Sequence, residues 1–257
     1  LHVRGKKSGD WRLLMQAESL EQHLRAVSVS ADGSSVLALT NVGFDTISLV
    51  RIDMESGAVE PIIADPDYDA GRVVMGSDQF TVLGVCFEAA MPKCTYLDPD
   101  HPESQTLAKV QAAITEQIMP VASRTRDGEE AVLWVTADRN PGDYFMLQTD
   151  KLKVDYLLSS RQWLEPSDLA PMQPITFAAR DGQEIQGYLT RPIGALGPLP
   201  TVVQVHGGPH GPRDNWRYQP EVQLLANRGF QVLQVNYRGS GGYGLAFERA
   251  GQRRWGT

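Results

Sequence analysis

The chain has 257 residues, 42% hydrophobic and 21% charged, a composition of soluble globular proteins and long enough for one large domain or two ordinary ones. A formal charge of −7 argues against a nucleic-acid partner, and the basic pair Arg253-Arg254 is too small to reverse that. No apolar window reaches the length of a membrane-spanning helix, so no membrane partner is expected.

The chain opens on Leu1 rather than Met, with no signal-peptide pattern before Gly9, so it is expected to be a piece of something longer. Residues 11–160 are short β runs separated by turn residues. Val27-Ser28-Val29-Ser30 leads through Ala31-Asp32-Gly33-Ser34 into Val36-Leu37-Ala38-Leu39, and residues 46–53 form another run. Residues 72–97 supply a weaker set of strands. Their two cysteines, Cys86 and Cys94, are too few for a disulfide framework. Two thiols in or near a strand are the expectation, and one hairpin bridge is the alternative. Neither has companions that would make a zinc site, so no metal is expected.

Residues 104–118 place Leu107, Val110, Ala112 and Ile114 at helical spacing, predicting a helix inserted between β sets. The earlier arrangement then recurs: Val121-Ala122-Ser123, the turn Arg126-Asp127-Gly128-Glu129, Val132-Leu133-Trp134-Val135 and Tyr144-Phe145-Met146-Leu147. Asp-Gly between apolar runs is a strong hairpin signal. Two repeats of about 45 to 50 residues with four short strands each have the period of β-propeller blades, about three in all and therefore an incomplete ring. An irregular β-sandwich is the alternative.

From Leu164 the style changes. Glu165-Pro166, Ala170-Pro171 and Gln173-Pro174 read as a linker, which places a domain boundary near Pro171 and divides the chain into 1–170 and 171–257. Arg180-Asp181-Gly182 turns into a half-buried strand over 184–190. The β-branched run 201–205 is followed by a helix over 220–228, opened by Pro220 and stopped by Gly229, and by a strand over 230–235. Strand, helix, strand with short loops implies parallel pairing through a crossover.

Between the first of those strands and the helix stands His206-Gly207-Gly208-Pro209. A buried strand that empties into a glycine pair places bare backbone N–H groups at the carboxyl edge of a sheet, where α/β enzymes stabilise anions. Glycine lets the main chain approach a substrate with no Cβ in the way. Acyl transfer builds negative charge on a carbonyl oxygen, and each fixed N–H aimed at it is worth about 3 kcal/mol of barrier. In α/β-hydrolases one such donor comes from a His-Gly-Gly loop after the third strand. Gly208 N–H is therefore the candidate oxyanion donor, with Gly207 shaping the turn and His206 supporting the loop. A plain strand-to-helix turn is the bland alternative. Arg213, Asp214 and Trp216 are candidates to line the mouth, Arg213 and Trp216 as substrate-binding residues, with solvated loop positions as the default. His210 reads as a solvent-facing loop residue. In Asn236-Tyr237-Arg238-Gly239-Ser240, the residues Tyr237, Arg238 and Gly239 read as structural, Arg238 pairing with carboxylates or carbonyls and the glycines taking positive φ. Ser240 fails as a nucleophile because Arg238 stands where an elbow needs glycine, and no serine in the chain satisfies GxSxG.

The combination RDG…GYLTRP, VVQVHGGPHGPRDNW, LLANRGFQVLQVNYRGSGGYG and Phe247…Trp255-Gly256 resembles the prolyl oligopeptidase family of serine peptidases, in its acylaminoacyl-peptidase and dipeptidyl-peptidase-like branch. The resemblance is strong over 171–256 and weaker over the β repeats. It implies the carboxyl part of a β-propeller, then the start of an α/β-hydrolase domain, in a peptidase of short peptides that needs no cofactor. It also places the Ser-Asp-His triad beyond Thr257, so the given chain is expected to be inactive, with GxSxG within about 30 to 50 further residues. In that family the propeller limits access by size, and a tyrosine stands near the His206 position in other branches. An esterase or lipase on the same fold and a non-catalytic propeller binding module are the rival functions. The unpaired sheet edge left by such a piece leads to the expectation of an oligomer or of a missing complementary half. A soluble location is expected, with cytoplasm and periplasm both open.

Overall fold

A computed structural model describes residues 1–4, 9–87, 89–115, 117–208 and 210–254; Pro209 of the His-Gly-Gly-Pro motif and Trp255-Gly256 lie outside the described residues. The chain divides into two compact units. One comprises Leu1–Ala89, Lys93–Ser104 and Gly239–Thr257, the other Ala90–Pro92 and Gln105–Arg238.

In the first unit, β1 (His2–Val3) and β2 (Arg12–Leu13) pair as a short ribbon. They are followed by the antiparallel meander β3 (Leu24–Val29), β4 (Ser35–Thr40), β5 (Ser48–Asp53) and β6 (Val59–Ile63). The pairs Ala38↔Val50 and Leu39↔Leu49 show how period 2 divides the central strands between two faces. Leu39 and Leu49 pack with Ala70, Val82, Val85 and Phe87, while Ala38, Val50 and Ile52 form a second cluster. Both faces are buried because every apolar residue of β4 and β5 has a covering partner, as in a propeller blade. The strands β7 (Ala70–Met75), β8 (Val82–Phe87) and β9 (Lys93–Tyr96) make the three-stranded sheet next in sequence.

Cys86 and Cys94 lie directly opposite each other in β8 and β9 and form a disulfide. This corrects the expectation of two thiols. The pairing depends on hairpin register, which composition does not reveal.

Helix α1 (Pro102–Ala113) begins two residues before and ends five residues before the helix expected at 104–118. The Gln111 side-chain amide donates to the carbonyls of Ile114 and Gln117 at 3.2 and 2.9 Å, turning the chain out of the helix. Ile118 instead bridges Thr136 in extended form, the conformation a β-branched residue favours.

The second unit holds another four-stranded meander, β10 (Val121–Arg124), β11 (Glu130–Val135), β12 (Asp143–Gln148) and β13 (Lys153–Ser159). Alternation again sets the core: Ala131, Leu133 and Val135 are buried while Val132 and Trp134 face outward.

After it come β14 (Met172–Ala178), β15 (Glu184–Thr190), β16 (Thr201–Gln204), α2 (Pro220–Asn227) and β17 (Gln231–Asn236). The strand β14 occupies what sequence reads as linker. Pro174 is tolerated there because β14 is an edge strand of the sheet β14-β15-β17-β16 and has a partner on only one side. The first three spatial neighbours are antiparallel and β16 pairs with β17 in parallel, as the strand, helix, strand order requires. Pro220 opens α2 and Gly229, at φ 88°, ends it. The core of this unit gathers Ala137, Met172, Tyr188 and Trp216. A short helix, α3 (Leu245–Arg249), belongs to the first unit. Among the described residues no helix is long and apolar enough to cross a membrane.

Candidate functional site

The strand β16 ends at Gln204, and Val205 carries the chain into His206-Gly207-Gly208 at the carboxyl end of the sheet. The parallel register pairs Gln204 with Gln234, and three further residues along each chain bring Gly207 beside Tyr237, the first residue after β17. The His206 and Tyr237 rings stack at 4.3 Å with 14° between their planes. The Tyr237 hydroxyl lies 3.0 Å from the carbonyl oxygen of His206 and 3.2 Å from that of Gly207. His206 Nδ1 lies 2.7 Å from the same Gly207 oxygen, so a proton on Nδ1 is shared with that carbonyl.

The two glycines are exposed and lie outside helix and sheet; among the described residues neither backbone amide has a hydrogen-bond partner. Neither takes positive φ. Glycine is needed here for space. A Cβ on Gly208 would meet Tyr237 Oη at 2.6 Å, whereas a Cβ on Gly207 would meet none of the described residues within 4 Å. The open side of Gly207 leaves room for a ligand against the backbone.

Beyond the glycines, residues 211–219 are tied to the sheet by a polar network that sequence reading missed. Asp214 N–H donates to Asn236 Oδ1 at 2.8 Å, and Asn236 Nδ2 donates back to the Asp214 carbonyl at 3.0 Å. Gln234 Nε2 donates to Asp214 Oδ1 at 2.8 Å and to Gln219 Oε1 at 2.9 Å. The signal was available: Val232, Gln234 and Asn236 alternate on the buried face of β17, and a polar residue repeated on a core face demands partners. Trp216 sits inside the core at 5% exposure, its indole N–H donating to the Met172 carbonyl at 3.2 Å. Arg213 is half-buried, with Nε on the Asp214 carbonyl at 3.2 Å, and His210 is exposed.

Arg238 pairs with the half-exposed carboxylate of Asp181, the aspartate of the turn between β14 and β15. The Gln183 N–H chiefly, and then the Arg238 guanidinium, hold the Asp181 carboxyl below the usual carboxylate range. Gly239, Gly242 and Gly244 take φ of 100°, 89° and 83°, left-handed backbone that suits glycine. Ser240 is fully buried. The loop is gripped through its amides: Asp69 accepts from Gly242 at 3.0 Å, and Asp45 accepts from Ala246 at 2.6 Å. Burial raises the Asp69 carboxyl above its ordinary value despite the N–H groups pointed at it. Among the described residues no group of three metal-ligating side chains gathers.

Residues 216–257 match the model of the prolyl oligopeptidase family. The chain is similar to dipeptidyl aminopeptidase BIII of Pseudoxanthomonas mexicana, with 31% identity over 235 residues, 88% of this chain and 34% of that protein. It is also similar to dipeptidyl peptidase family member 6 of Caenorhabditis elegans, with 32% identity over 160 residues, 54% of this chain and 22% of that protein. Among solved structures, prolyl oligopeptidase B from Galerina marginata superposes with a TM-score of 0.69 over 97% of this chain and 35% of its own, at 16% identity, a likeness of fold. The chain spans about a third or less of these relatives. Its architecture is therefore that of β-propeller blades in an incomplete ring followed by the opening strands of an α/β-hydrolase domain. The chain is similar over most of its length to part of a dipeptidyl aminopeptidase, and its last residues match the prolyl oligopeptidase family model.

Proposed function

We propose that the protein carrying this chain is a serine-type peptidase that cleaves short peptides through an acyl-enzyme, and that residues 171–257 open its hydrolase domain after propeller residues 1–170. The observation that carries this reading is the pair of exposed amides at Gly207 and Gly208, directed by a rigid loop at the carboxyl end of a mixed sheet. Gly208 N–H serves as oxyanion donor as the carbonyl oxygen of the scissile bond turns anionic, with Gly207 and His206 shaping its loop. On this reading the Ser, Asp and His of the triad lie outside the chain, so the chain alone does not turn substrate over. Short peptides fit the names of the relatives, both dipeptidyl peptidases.

The test is to read the gene past Thr257 and assay its full-length product. A GxSxG serine should appear within about 50 residues. The product should cleave peptide anilides faster than short acyl esters and label with a fluorophosphonate, and alanine at that serine should abolish both. An in-frame stop after Thr257 or absent labelling would overturn the reading, and a preference for esters would move it to an esterase on the same fold.

A further inference from the structure

The geometry points to Tyr237 as the positioning residue of the oxyanion loop, an inference that rests on the peptidase reading above. A trans peptide is planar, with its C=O and the following N–H on opposite sides. The chain has no cis peptide bond among its described residues. The Tyr237 hydroxyl holds the carbonyls of His206 and Gly207 toward itself, so the amides of Gly207 and Gly208 point away from it. One hydroxyl hydrogen shared by two successive carbonyls thus sets the direction of both N–H groups.

Two further contacts converge on the same side chain. The phenol ring stacks on His206, removing the freedom of the residue that leads into the glycines. The hydroxyl also occupies the place a Cβ of residue 208 would take, so Gly208 and Tyr237 fit only together. Tyr237 reaches the loop because β16 and β17 are parallel and end at the same edge. It touches no substrate in this role. Its hydroxyl acts through the backbone it orients.

The variant that isolates the hydroxyl is Tyr237→Phe, which keeps the ring stack and removes the donor. In the full-length protein, kcat for a peptide anilide should fall about tenfold with KM unchanged, since a misaimed donor is lost only where charge develops. Fluorophosphonate labelling should slow in the same proportion. In a crystal structure of the variant the amides of Gly207 and Gly208 should turn from their wild-type directions while β14, β15 and β17 superpose on the wild type. Wild-type kcat together with wild-type amide directions at the two glycines would overturn the role. So would a loss confined to KM or to global stability. A wild-type protein that neither cleaves nor labels would sink the peptidase reading instead. The directions of the two amides in the variant structure would then decide by themselves whether Tyr237 orients the loop.

Discussion

Gln79 shows what a single residue can disclose about a turn. In the hairpin after β10, Thr125 N–H donates to the Glu130 carbonyl, Gly128 N–H to the Thr125 carbonyl, and Glu129 N–H to Asp127 Oδ1. The hairpin between β7 and β8 repeats those bonds with Gly76, Asp78, Gln79, Phe80 and Thr81 in the corresponding places. Gly128 has φ 76° and Gln79 has φ 61°, so an exposed glutamine holds a conformation suited to glycine. Its Cβ strains the left-handed backbone, so Gln79→Gly should stabilise the protein by about 1 kcal/mol, less the extra chain entropy of glycine. Equilibrium denaturation would measure it, and an unchanged or lowered midpoint would contradict it. The same residue-scale logic separates the two glycines of the site: Gly208 is forced by the Tyr237 hydroxyl, and Gly207 by nothing among the described residues.

At the scale of elements, the Asp-Gly hairpins were legible from sequence because their chemistry is local. Asp32 accepts from the Ser30 hydroxyl at 2.6 Å and the Ser34 N–H at 2.9 Å, and these bonds lower its pKa to about 2. A carboxyl whose folded pKa is depressed contributes stability above its unfolded pKa and loses it as pH falls through the folded value. The wild type should therefore be more stable than Asp32→Asn at pH 7. The difference should shrink below about pH 4 and vanish near the folded pKa. Parallel denaturation curves at three pH values would show it, and a constant gap would refute the assignment. The ends of α1 and the existence of β14 were less legible. The first depended on the Gln111 side chain capping carbonyls three and six residues ahead, and the second on Pro174 falling at a sheet edge. Neither fact follows from spacing.

Two consequences belong to the molecule as a whole. The Cys86–Cys94 bridge closes a short loop, with a sequence separation of 8. Chain-entropy reasoning puts the loss on reduction at about 2 kcal/mol, read as a lower denaturation midpoint in dithiothreitol that Cys86→Ser reproduces. No shift on reduction would mean that the bridge does not form in solution. In the hydrolase part, β16 is an edge strand whose Val203, and the Val205 just past its end, are 56% and 64% exposed. An apolar, unprotected edge favours pairing with another strand. The chain should therefore associate with rising concentration, and Val203→Lys should reduce that association in light scattering. A monodisperse wild type would refute the expectation.

The amino-acid order alone determined the hairpins, the helix between Pro220 and Gly229, and the glycine pair after a β-branched run. Each of these rests on interactions within a few residues, where turn chemistry and period leave little choice. Tertiary structure decided the rest. It set Cys86 against Cys94, Arg238 against Asp181, Asp214 against Gln234 and Asn236, and Tyr237 against the two carbonyls that aim the amides of Gly207 and Gly208. Those partners stand 8 to 57 positions apart. They meet only through strand register and sheet order, which arise from the packing of the whole sheet and leave no mark in any one segment.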